Sequence, residues 1–126
     1  MIKIIEAKTE KEISKCLKIR TKVFVEEQSI SIDKELDDLD KICIHSLVLM
    51  NHIAVATGRL IPLDGKNGKI GRMAVITEYR NMGIGGLILN FLEKKALEKN
   101  ITHITLEAQE YVKKFITKKN GIRSKE

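Results

Sequence analysis

The chain has 126 residues, of which 43% are hydrophobic and 32% charged, and a net charge of +6. That length and composition suit one domain with its own core and exclude a disordered chain, and no apolar run approaches the about 20 residues a membrane span needs. Aromatic residues make up only 4% and tryptophan is absent, so the basic-plus-aromatic pattern of a nucleic-acid binder is missing.

In chain order, Ile2 to Ala7 reads as a first strand. No apolar stretch with a cleavage site follows Met1, so a cytoplasmic single domain over residues 1–126, with no membrane partner, is expected. Thr9 and Glu12 form a capping box, and Ile13, Cys16, Leu17, Val23 and Phe24 share one helical face, predicting a helix from about Glu10 to Phe24. Residues 26–40 carry one lysine and seven carboxylates, a net −6 in an otherwise basic chain. This block reads as a loop.

Ile42 to Met50 and Ile53 to Pro62 read as strands joined by an Asn51-His52 turn. Asp64 to Gly68 is a turn and Lys69 to Val75 a fourth strand. Ile84, Leu87, Ile88, Phe91, Leu92 and Ala96 then repeat at helical spacing to about Asn100. Thr102 to Ala108 is a fifth strand and Gln109 to Lys119 a last helix. The order is β-α-β-β-β-α-β-α, an α/β (α+β) domain in which a right-handed crossover makes the fourth and fifth strands parallel. Cys16 and Cys43 lack a CxxC partner and read as reduced core thiols, with no metal site.

The chemistry concentrates at the joint between the fourth strand and the long helix. Gly83, Gly85 and Gly86 let backbone N–H groups turn outward. The helix that starts there offers unpaired N–H groups and a positive dipole end, an anion site that suits a pyrophosphate. Arg80 stands at its mouth. The alternative is that the glycines only permit a tight turn. Position 88 is isoleucine and Gly86 precedes Leu87, which excludes the Rossmann and Walker patterns.

Arg80-x-x-Gly83-x-Gly85 after an apolar strand resembles the acyl-CoA signature of the GNAT N-acetyltransferase superfamily. Arg20 to Gln28, the Glu35 to Asp40 block with His45, Ala56 to Leu60, Ile70 to Val75 and Leu106 to Gln109 resemble successive blocks of its ElaA-like branch. The resemblance spans about residues 1–118 and implies an acetyl-CoA-dependent N-acetyltransferase with a GNAT-like acyl-CoA N-acyltransferase fold. It implies splayed fourth and fifth strands with the pantetheine arm between them. Backbone groups of Met73 and Val75, flanking Ala74, would pair with the pantetheine, and amides of Asn81, Met82, Gly83, Ile84, Gly85 and Gly86 would hold the pyrophosphate beside Arg80. Gln109 would lie near the cofactor. A neutral amine of a small molecule or peptide would attack the thioester.

Glu27, Glu35, Asp37 and His45 are candidates for the base that receives the amine proton. Each also reads as a solvated charge, an ion pair or, for His45, a sheet residue. Together the acids suit a cationic acceptor. Arg59 and Arg72 are expected to pair with this block, and Met50, Met73 and Met82 to serve packing. Two departures stand out. Relatives carry Phe-Tyr on the last helix, the tyrosine protonating the leaving thiolate, whereas Phe115 is followed here by Ile116. The tail from Lys118 holds no strand pattern, so the C-terminal strands of the family are expected to be missing. An open sheet edge would then invite a homodimer, or the chain is a weak or inactive CoA-binding module.

Overall fold

The computed structural model describes residues 1–27, 38–106 and 122–124. Its strands are β1 (Ile2–Ala7), β2 (Ile44–Met50), β3 (Ile53–Pro62), β4 (Asn67–Val75), β5 (His103–Leu106) and β6 (Ile122–Ser124), and its α-helices are α1 (Glu10–Arg20) and α2 (Ile84–Glu98). The six strands form one sheet in sequential order. Each of β1 to β4 pairs antiparallel with the next, and β5 pairs parallel to β4 after the α2 crossover.

Local chemistry explains the elements. Thr9 caps α1: its hydroxyl accepts from the Glu12 N–H, and the Glu12 carboxylate accepts from the Thr9 N–H. The helix does not run on as α to Phe24. It widens at Thr21 into a π-helical segment, Thr21–Glu27, which leaves Arg20, Val23 and Phe24 all buried. Asn51 and His52 both take positive φ, 50° and 71°, the geometry a two-residue hairpin turn requires. β2 begins at Ile44, where pairing with Leu60 starts, two residues later than the apolar run suggests, and Ile42 is exposed. β4 starts two residues earlier than the apolar pattern suggests, at Asn67, whose side chain donates to the Asp64 carbonyl and closes the turn.

The sheet is covered on both faces. Ile84, Ile88, Leu89, Leu92 and Ala96 of α2 pack against Val55, Leu60, Ile70, Met73 and Leu106. On the other face Cys16, Ile19, Val23 and Phe24 pack against Leu47, Ala74 and Ile76. Seven consecutive residues of β3, Val55 to Ile61, are buried, Gly58 among them, because this inner strand lies under both helices. Cys16 is fully buried and Cys43 half-buried, and neither forms a disulfide.

The tail corrects one expectation. Ile122–Ser124 forms a three-residue strand parallel to β5, with Ile104 opposite Ile122 and Leu106 opposite Ser124. The β5 edge expected to stay open for a homodimer is therefore occupied. The predicted last helix, with Tyr111, Val112, Phe115 and Ile116, lies outside the described residues. No described helix is long and apolar enough to cross a membrane.

Candidate active site

The site is built on the second half of β4. The described β4–β5 ladder runs from Asn67–His103 to Ile70–Leu106, while β4 continues to Val75. Along that continuation β4 bulges. Thr57 faces Ala74 and Arg59 faces Gly71, so Gly58 on β3 is matched by Arg72 and Met73 on β4. Arg72 takes φ 49°, a left-handed conformation that costs a non-glycine residue about 1 kcal/mol or more. Bulges of this kind redirect backbone groups, and they concentrate next to active sites. Met73, Ala74 and Val75 are buried. Met73 and Val75 face α2, and Ala74 faces α1.

After Val75 the chain makes a 3-10 turn, Thr77–Tyr79. Arg80 follows, and its Nε donates to the Val75 carbonyl at 2.9 Å. Asn81 (φ 65°) and Gly83 (φ 77°) turn the chain into α2. Gly83 is the N-cap and brings no side chain to the helix start. The first intrahelical bond is Leu87 N–H to Gly83 O, at 3.3 Å. The amides of Ile84, Gly85 and Gly86 precede it, at the positive end of the helix dipole.

A Cβ placed on Gly85 would meet nothing within 4 Å. Unpaired N–H groups at such a helix start are of the kind that bind a phosphate group. Met82, expected to pack, is half-exposed at the loop tip instead. Among the described residues no cluster of three His, Cys, Asp or Glu could hold a metal ion.

The other predicted residues divide. Glu35, Asp37 and Gln109 lie outside the described residues, and Glu27 ends the π-helical segment. His45 lies on β2 with 1% of its surface exposed, and its Nε2 donates to the Asp40 carbonyl at 2.9 Å. Burial pushes the His45 pKa down from its ordinary value, only partly offset by that bond. Arg59 pairs with the acidic block as expected, through Asp40 Oδ1 at 2.7 Å. Sequence reasoning missed the second partner: Arg20 Nη1 meets the same oxygen, also at 2.7 Å. Burial alone would raise the Asp40 pKa, but the hydrogen bonds from Arg20 and Arg59 outweigh it and the pKa falls. The only sequence signal was that Arg20 and Asp40 both sat in the family-like blocks.

Residues 13–121 match the model of the acetyltransferase (GNAT) family. This chain belongs to the GNAT family. On that footing it is an acyl-CoA-dependent N-acetyltransferase, and acetyl-CoA is its co-substrate. It is 34% identical over 122 residues to YjcF of Bacillus subtilis (strain 168), an uncharacterized N-acetyltransferase, covering 97% of this chain and 86% of YjcF. The GNAT fold is that of Escherichia coli ElaA, with a TM-score of 0.81 at 22% identity, covering 94% of this chain and 85% of ElaA. It is also that of a predicted acetyltransferase from Clostridium acetobutylicum crystallised with acetyl-CoA, with a TM-score of 0.70 at 22% identity over 91% of this chain and 88% of that one.

Proposed function

We propose that this GNAT protein transfers the acetyl group of acetyl-CoA to a primary amine of a small molecule or peptide. The observation that carries the reading is the start of α2, where a Cβ on Gly83 or Gly85 would meet nothing within 4 Å and no side chain caps the helix, next to the bulged end of β4. The amides from Asn81 to Gly86 hold the pyrophosphate, with Arg80 alongside. The backbone of Met73 and Val75 pairs with the pantetheine amides as an added strand would. Acetyl-CoA supplies the activated acyl group as a thioester. A backbone N–H in Met73 to Val75 polarises its carbonyl, as an oxyanion hole does. The amine nitrogen attacks in its neutral form, an N–C bond replaces the C–S bond, the nitrogen gives up one proton, and the leaving thiolate takes one up.

Two features bear on the acceptor. Residues 26–40 hold a net −6, which favours a cationic amine. Asp40 is already engaged by two arginines, so attraction falls to the other acids of the block. Thiol release from acetyl-CoA across a panel of primary amines, at several pH values, tests the reading. Amine-dependent release is the expected result. CoA binding with no release above buffer for any amine would overturn it and leave a CoA-binding module.

A further inference from the structure

Asp40 lies in the 3-10 turn Asp38–Lys41, just ahead of β2. Its Oδ1 accepts from Arg20 Nη1 and from Arg59 Nη1, both at 2.7 Å, and its Oδ2 accepts from Arg20 Nη2 at 3.3 Å. Its main-chain carbonyl accepts from His45 Nε2 at 2.9 Å. The three donors come from α1, β2 and β3, and all are at least 97% buried. An exposed ion pair contributes little. Here the guanidinium groups have left water, so removing their carboxylate would strand buried charge.

The cluster reaches the active site through register. Arg59 faces Gly71, the last paired residue before the bulge at Arg72 and Met73. A non-glycine residue at φ 49° persists only where its surroundings over-determine it. The next ladder pair on the far side of the bulge is Thr57–Ala74, and Thr57 is itself tied down, its hydroxyl donating to Ser46 O at 2.7 Å.

We infer that Asp40 is a positioning residue: by locking Arg59 it fixes the Arg59–Gly71 register and thereby holds the β4 bulge in the form that aims its backbone at the thioester. The last step rests on the proposed function, whereas the control of the bulge does not.

Backbone amide hydrogen exchange on the full chain tests this. Asp40→Asn keeps the shape and removes the charge. It is expected to speed exchange at Gly71 to Ala74 by about tenfold, while Leu89 and Leu92 in α2 change by less than about twofold. Asp40→Glu should restore part of the protection, and Arg59→Lys, which keeps the charge and loses the fork, should give a milder version of the same local pattern. Thiol release by Asp40→Asn should fall by more than acetyl-CoA affinity does, because the start of α2 still holds the pyrophosphate while the loosened bulge weakens only the pantetheine end. Equal acceleration in α2 and the bulge, or unchanged exchange at Gly71 to Ala74, would overturn the inference. A wild-type chain that releases no thiol would instead sink the proposed function, and the exchange pattern would still decide the role of Asp40.

Discussion

The Arg80 Nε donates to the carbonyl of Val75 at 2.9 Å, tying the end of β4 to the start of the glycine loop. One side chain thus closes the turn that leads from β4 toward α2.

Replacing Arg80 should weaken cofactor binding. Arg80→Ala is expected to lower acetyl-CoA affinity by roughly tenfold, the scale of one lost charged hydrogen bond. Arg80→Lys should fall between, because lysine keeps the charge but cannot bond Val75 and an anion through one planar group. Calorimetric titration measures both, and equal affinity in all three proteins would contradict the assignment.

Two glycines should separate packing from conformation. A Cβ on Gly58 would stand 2.5 Å from Ile88 Cγ2 in the core. Gly58→Ala is expected to cost about 1–3 kcal/mol by overpacking. A Cβ on Gly83 would meet nothing within 4 Å, but its φ is 77°, so Gly83→Ala should cost about 1–2 kcal/mol from backbone strain alone. Urea unfolding checks both. A Gly58→Ala protein as stable as wild type would show that β3 and α2 do not pack as described.

Stability should fall on acidification in two stages. The folded-state pKa of His45 is depressed, chiefly by burial. Below about pH 6.5 the unfolded chain takes up a proton that the native ring refuses, so stability drops until the folded pKa is passed. The folded-state pKa of Asp40 is also depressed, since its two arginine bonds outweigh burial. Its contribution is present above about pH 3.9 and is lost as pH falls through the lower folded value. Melting temperature measured from pH 7.5 down to 3 should show both stages, and His45→Gln should remove the first. A first stage unchanged in His45→Gln would assign it to another group.

Much of this could be read from local patterns. The Thr9–Glu12 capping box, the Asn51-His52 turn and the glycine start of α2 each depend on residues within a few positions of one another. What escaped depends on distance in sequence or on strain. Arg20, Asp40 and Arg59 meet only because α1 and β3 converge on the same end of β2. The bulge puts its positive φ on Arg72 rather than on the neighbouring Gly71, so the residue type gives no sign of it. The short β6 gives only three residues to a parallel edge, too few for an alternation to register. Met82 follows the rule for apolar residues in the wrong place, on an exposed loop.

Acetyl-CoA titration of the Gly85→Glu protein against wild type tests the central claim, that the start of α2 is the pyrophosphate cradle. The substitution puts a carboxylate into open space at a helix N-terminus, where the dipole tolerates it, so the melting temperature should stay within a few degrees, about 1 kcal/mol or less. The account predicts saturable binding by wild type and loss of about a hundredfold or more in affinity for Gly85→Glu, the scale of a blocked and charge-repelled phosphate site. Equal affinity in the two proteins would contradict it.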